Sequence, residues 1–202
     1  MKEKYSAWKK KVNAEIISAK DLEKISALTT PQEIIAVAEI PSHDFKIELL
    51  KNSLTLVLDE IKDPGNLGTI VRIADWFGIP AIICSESCAD IFNPKAVQAT
   101  MGSLFRTRVF YKPLEEVLKK SASLNVPVFG TVLDGENIYN AHLSSQGVII
   151  IGSESHGISS ALLPFITAKI SIPSFSDSAT KKADSLNAAM AAAIVCSEFR
   201  RR

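Results

Sequence analysis

The sequence predicts an α/β protein whose core is a parallel sheet flanked by helices. From Leu54 onward, apolar runs of four to seven residues recur without internal alternation. Strands buried on both faces have that pattern, whereas half-buried strands alternate. Helical patterns lie between and after the runs, and strands that alternate with helices pair in parallel. The chain is 47% hydrophobic and 22% charged, which excludes disorder across its whole length. Its 202 residues suit one ordinary domain plus a small appendage.

The elements follow in order. Asp21–Leu28 reads as a helix, with apolar residues at 22, 25 and 28 and Asp21 as its cap. Thr30-Pro31 breaks it, Ile34–Ala38 reads as a short strand, and Pro41-Ser42 ends that strand. Residues 1–50 are too thin for an independent core, so they form a short α+β N-terminal segment ahead of a domain at 51–202. In that domain the expected strands are Leu54–Leu58, Ala81–Cys84, Arg108–Tyr111, Val126–Val132, Val148–Ile151 and Lys169–Ile172. The expected helices are Leu67–Phe77, Leu114–Lys120 and Leu186–Phe199. The stretch Ser174–Asp184 is polar and lies between a strand and the last helix, where α/β folds place ligand loops.

Several function classes are excluded or left unsupported. No apolar run reaches the roughly 18–20 residues of a membrane helix. The N-terminus, Met1-Lys2-Glu3-Lys4, has no apolar stretch behind it, so no secretory leader is read and a cytoplasmic setting is expected. Cys84, Cys88 and Cys196 are too few and scattered for a disulfide framework, and read as buried structural thiols. The formal net charge of +1 neither suggests nor excludes nucleic acid, although basic clusters occur at Lys9–Lys11, Arg106/Arg108, Lys119-Lys120, Lys181-Lys182 and Arg200–Arg202. His43, His142 and His156 lack metal-ligand spacing, and no nucleophile elbow, phosphate loop or dinucleotide fingerprint is present.

Three segments carry candidate chemistry. The first, Asp63-Pro64-Gly65-Asn66-Leu67-Gly68 through Arg72, follows a strand and opens a helix, with Asn66 suited to the N-cap. The second, Gly152-Ser153-Glu154-Ser155-His156-Gly157, follows another strand and precedes an expected helix whose dipole Glu154 would favour. The third is Ile172-Pro173, the polar loop, and Ser185-Leu186-Asn187 at the start of an Ala-rich helix. Ligands of open α/β sheets bind beyond the carboxyl ends of strands, so these segments together describe a small polar ligand site.

In this order the segments resemble the motifs of the SpoU family of RNA methyltransferases, the TrmH-like branch of the SPOUT superfamily. The family's Asp-Pro-x-Asn-x-Gly-x-x-x-Arg-x-Ala is matched from Asp63 to Ala74. Its Gly-x-Glu-x-x-Gly-Leu/Ile-Ser is matched from Gly152 to Ser159, and its Ile-Pro and Ser-Leu-Asn elements at Ile172-Pro173 and Ser185–Asn187. The resemblance covers roughly residues 52–200. It implies a C-terminal deep trefoil knot, a homodimer with the active site at its interface, and S-adenosylmethionine (SAM) held in the knot. Periodicity alone would have given an ordinary doubly wound sheet, since knots are exceptions to connection rules.

By the same resemblance, Gly152, Ile172 and Leu186 are cofactor contacts, and Thr131 and Leu133 line the pocket. Arg72 is the catalytic arginine, and Asn66, Glu154, Ser185 and Asn187 position it and the substrate. The implied activity is SAM-dependent RNA methylation of a ribose 2′-hydroxyl in tRNA or rRNA, with RNA as partner and no metal. Arginine stays charged, so an electrostatic role for Arg72 fits better than proton abstraction. Two rivals stand beside this reading: a diverged member that binds RNA without methyl transfer, and a base methyltransferase of the same fold. Ser155 departs from a common middle Gly of the second motif, where a positive φ would be less comfortable. The Ser174–Asp184 spacer is longer and more charged than in many relatives. Residues 22–41 resemble the end of the ribosomal-protein-like RNA-binding domain that many relatives carry, which makes Lys9–Lys11 candidate phosphate contacts.

Overall fold

A computed structural model describes residues 14–26, 30, 32–175 and 185–201. The chain divides into two compact units, Met1–Ser42 and His43–Arg202. The first contains α1 (Ala19–Ile25). Its cap is Ser18 rather than Asp21: the Ser18 hydroxyl accepts the Asp21 N–H at 3.2 Å, one turn earlier than the sequence suggested. The strand expected at Ile34–Ala38 is absent, so the described part of this unit is helical rather than α+β. A strand needs a neighbour for its backbone polar groups, and no strand lies beside it among the described residues. Ile34, Ile35 and Val37 are exposed there.

The second unit is a six-stranded parallel sheet in the order β3-β2-β1-β5-β4-β6. Its elements are α2 (Glu48–Asn52), β1 (Leu54–Leu58), α3 (Pro64–Trp76), β2 (Ala81–Cys84), α4 (Pro94–Thr100), β3 (Arg108–Tyr111), α5 (Leu114–Ser123), β4 (Val128–Asn137), β5 (Gly147–Ile151), β6 (Ala168–Ser171) and α6 (Ala188–Arg201). Single 3₁₀ turns stand at Ser103–Phe105 and Leu163–Phe165. Within the second unit Leu50 of α2 is fully buried in the core with Val57 and Val148, and Phe45 and Ile47 pack against that core, so these residues belong with the sheet.

Burial explains the runs. β1, β2 and β5 are buried at every position, while the edge strands β3 and β6 are partly exposed. One core face gathers Leu54, Leu56 and Leu58 with Leu67, Ile70, Val71 and Ala74 of α3 and Ala192, Val195 and Phe199 of α6. The other gathers Val57 and Ile150 with Val117 and Leu118 of α5.

β4 runs on beyond the expected Val132. Its register against β6 shifts between Thr131 and Glu136, which throws residues 132–135 outward before pairing resumes at Glu136. Gly135 permits that return: a Cβ there would lie 2.5 Å from the Ile170 carbonyl carbon. Leu133 at the crest is 82% exposed.

The segment after β5 forms no helix. Ser153 and Gly157 exchange backbone hydrogen bonds at 3.0 and 2.9 Å, closing a tight turn that Gly157 completes at φ +68°. Glu154 therefore caps no helix, and Ser155 adopts no positive φ, so its side chain costs nothing there.

Candidate active site

The carboxyl ends of β1, β5 and β6 bring the three motif segments together. Asp63 caps α3, with Oδ1 accepting the Asn66 N–H at 2.8 Å and Pro64 at the first helical position. Asn66 thus lies inside the first turn, not at the cap, which frees its side chain. Its Nδ2 donates to Glu154 Oε1 at 2.6 Å, and its Oδ1 accepts from Asn187 Nδ2 at 3.0 Å. One residue from each segment meets at this junction.

Helix geometry fixes the polarity of the junction. Asn187 caps α6: its Oδ1 accepts the N–H of Ala189 at 2.9 Å and of Met190 at 3.3 Å. Those groups only donate, so the atom facing Asn66 must be the Asn187 Nδ2. Asn66 must then present its oxygen to Asn187 and its nitrogen to Glu154, whose carboxylate only accepts. Both ends of the chain of bonds demand the same orientation.

Two residues unassigned in the sequence reading support the junction. Asp59, buried at the end of β1, accepts the Ser159 N–H at 2.8 Å and ties the β5 loop to the β1 loop. Lys95 of α4 donates to Asp63 Oδ2 at 2.9 Å. That hydrogen bond and the Asn66 N–H hold the Asp63 carboxyl below the usual carboxylate range. The signal for Lys95 was Asn93-Pro94, a helix start; Asn93 Oδ1 caps the Lys95 N–H at 2.9 Å. Asp59 had no signal beyond its place at a strand end.

The other site residues are placed as follows. Arg72 is exposed on α3 and makes no hydrogen bond or ion pair among the described residues. Helical rise sets it about 9 Å along the axis and roughly a third of a turn round from Asn66, so the structure does not bring it into the junction. Ser185 is exposed, two residues before Asn187. Gly152 and Ile172 are half-buried at the ends of β5 and β6, and Leu186 is 48% exposed. A Cβ on Gly152 would stand 2.2 Å from the Gly157 carbonyl carbon, so the loop's own closure requires this glycine. The Thr131 hydroxyl donates to the Ile150 carbonyl at 2.8 Å and is thereby occupied in joining β4 to β5. Most of the Ser174–Asp184 spacer, including Lys181 and Lys182, lies outside the described residues, as do Lys9–Lys11.

The thiols sit beneath the same strand ends. Cys88 Sγ accepts the Ile61 N–H and donates to the Leu58 carbonyl, both at 3.3 Å, bracing the β1–α3 loop. The Cys84 thiol beside it brings Cys88 down to about 7, while the same contact and burial push Cys84 up. Among the described residues no three His, Cys, Asp or Glu gather as metal ligands, and no helix is long and apolar enough to cross a membrane.

The chain is similar to proteins of known family. The profile of the SpoU rRNA Methylase family matches residues 53–197, which contain all three segments. The 23S rRNA (guanosine(2553)-2′-O)-methyltransferase RlmP of Bacillus subtilis is 32% identical over 177 residues, covering 87% of this chain and 68% of the relative. The solved structure of a TrmH-family protein from Porphyromonas gingivalis superposes with a TM-score of 0.78 at 35% identity, covering 97% of this chain and 80% of that one. An AdoMet-bound rRNA methyltransferase from Sinorhizobium meliloti superposes with a TM-score of 0.67 at 34% identity, covering 74% of this chain and 56% of that one. With its three motif segments joined at one junction on a parallel sheet, and with these matches, the chain belongs to the SpoU rRNA methylase family.

Proposed function

We propose that this chain transfers a methyl group from SAM to a ribose 2′-hydroxyl of RNA, with rRNA the favoured substrate. The observation that carries the reading is the Asn66–Glu154–Asn187 junction, which orients one amide by both of its ends. Two of the proteins named above, those of Bacillus subtilis and Sinorhizobium meliloti, are rRNA methyltransferases, and that favours rRNA over tRNA.

The residues present fit the cofactor. The exposed Leu133 and Leu186 offer apolar surface for an adenine ring, and Gly152 and Ile172 present half-buried backbone at the ends of β5 and β6, on either side of β4. When bound, SAM supplies an electrophilic methyl on a sulfonium. Asn66 keeps one amide hydrogen for the substrate after its bond to Glu154. Fixed donors of this kind align an attacking oxygen at no reorganisation cost. Arg72 contributes positive charge that lowers the hydroxyl's pKa and holds the adjacent phosphate, and that phosphate receives the proton.

Arg72 lies off the junction within one protomer, and this supports a homodimer in which a second copy supplies it. Trp76, 84% exposed one turn further along α3, is an apolar residue available to such an interface. The C-terminal segment fits a trefoil knot: it leaves edge strand β6 and returns to place Asn187 against Asn66, beyond the end of β1, three strands inward. Of the N-terminal segment expected at 1–50, the part up to Ser42 is read as belonging to an RNA-binding domain, and residues 43–202 as the methyltransferase domain, in a cytoplasmic protein.

Incubation with rRNA and isotopically labelled SAM, followed by nucleoside mass spectrometry, tests the reading. A 2′-O-methylated nucleoside is expected. A methylated base with unmodified ribose overturns the choice of acceptor. SAM binding at about one site per chain without transfer to any RNA indicates the non-catalytic rival.

A further inference from the structure

We propose that Lys95 is a positioning residue for the reaction: by holding Asp63 it fixes the first turn of α3 and, through that turn, the amide of Asn66. The proposal rests on the methyltransferase reading for its kinetic part and on geometry alone for its structural part. One carboxylate serves two partners. Asp63 Oδ2 takes the Lys95 ammonium at 2.9 Å while Oδ1 takes the backbone N–H of Asn66 at 2.8 Å. Movement of that carboxylate is therefore movement of the residue whose amide joins the three segments.

The element carrying Lys95 cannot slide. α4 meets α3 at Gly68, where a Cβ would lie 2.3 Å from the Ala96 carbonyl oxygen and 2.7 Å from the Ala99 Cβ. The Lys95 stem itself lies over Gly65, with Cε 3.3 Å from where a Cβ would stand. Gly65 and Gly68 thus let α4 press its backbone and its lysine onto the helix that bears Asn66. Both members of the ion pair are substantially exposed, and exposed pairs contribute little to stability. The effect of losing Lys95 is therefore expected in turnover, where small misplacements of aligned groups are costly, more than in folding.

The test compares the parent with K95M, K95R, D63N and K95M/D63N. Methionine keeps an unbranched stem over Gly65 without the charge. The D63N variant keeps a good helix cap and removes the ion pair. K95M is expected to lower kcat by about tenfold or more with the KM for RNA and the affinity for SAM unchanged, and K95R to recover most of the loss. K95M in the D63N background is expected to add nothing, because the route from Lys95 runs through Asp63. In ¹⁵N-asparagine-labelled protein, the side-chain amide resonances of Asn66, assigned by their absence in N66D, are expected to shift in K95M.

An unmoved Asn66 resonance overturns the proposal, as does an unchanged kcat. A raised KM for RNA with additive effects also overturns it, since Lys95 would then be a phosphate contact. If K95M fails to fold, D63N alone decides: the same kcat loss supports the proposal and parental turnover overturns it. An inactive parent chain whose Asn66 resonance still responds to K95M leaves the brace standing and refutes the methyltransferase reading instead.

Discussion

At the scale of single residues, the buried polar side-chain atoms divide, among the described residues, into those with partners and one without. The Asp59 carboxylate and the Thr131 hydroxyl are each bonded to backbone groups at 2.8 Å. Thr55 Oγ1, wholly buried on the second residue of β1, has no hydrogen-bond partner among the described residues. An unsatisfied buried hydroxyl costs about 1–3 kcal/mol, and valine has nearly its shape with better strand preference. Thr55→Val is therefore expected to stabilise the chain by about 1 kcal/mol, seen as a rise in Tm of roughly 2–4 °C. A fall in Tm would show that the hydroxyl has a partner in solution. Asn66, Glu154 and Asn187 were legible in the sequence as site residues through the resemblance of their segments to family motifs, whereas residue type and spacing alone gave only a small polar ligand site. Their connections were not readable, since residues 66, 154 and 187 meet only after the sheet has formed. Gly152 shows the converse. Its absent side chain is required by the Ser153–Gly157 turn, so Gly152→Val would disrupt the loop as well as any pocket; Leu186→Asp, at an exposed position, probes SAM binding more cleanly.

At the scale of elements, α3 is held at both ends. Its first turn is fixed by Asp63 and Lys95. Its last turn is fixed by Asp75, whose carboxylate takes Arg106 Nε and Nη2 at 2.9 and 2.7 Å and the Ser103 hydroxyl at 2.8 Å. The Arg106 hydrogen bond holds the Asp75 carboxyl below the usual carboxylate range. A carboxylate with a depressed folded pKa adds stability above its unfolded pKa of about 3.9 and loses it as pH falls through the folded value. Asp75→Asn is thus expected to melt below the parent at neutral pH, with the gap closing as pH drops below about 4. Thermal melts at a series of pH values check this, and a gap that stays constant into acid would show that the Asp75 charge is not involved. The elements legible in sequence were those with unbroken apolar runs, such as β1, β2 and β5, which are buried at every position, or with a buried face long enough to show a helical period, such as α6. α4 was missed because seven residues with Ala96 and Thr100 as its buried positions carry no periodic signal. The second motif was misread as a helix start because Gly157, which folds the segment back on itself, resembles any loop glycine in sequence.

At the scale of the whole molecule, periodicity gave the layers but neither the strand order nor the threading. Placing β5 beside β1, and β4 between β5 and β6, depends on contacts between segments far apart in the chain, such as Leu54 with Gly147 and Phe129 with Ala168. No local pattern encodes such contacts. The resemblance to a family implies a homodimer, and it bears on the question the single chain leaves open, namely how Arg72 reaches a junction it does not face. If a second protomer supplies it, each active site draws Asn66, Glu154 and Asn187 from one chain and Arg72 from the other. Arg72→Ala and Asn66→Ala should then be inactive as separate homodimers while both retain SAM binding. Unfolding and refolding the two together in equal amounts would make about half the dimers mixed, each with one of its two sites intact, giving about one quarter of parental activity. Labelled methyl transfer to RNA, measured before and after mixing, reads this directly. Recovery near that level requires the composite site. No recovery, in a mixture shown by tag exchange to contain mixed dimers, places Arg72 and Asn66 in the same protomer's site and requires α3 to turn Arg72 inward when RNA binds.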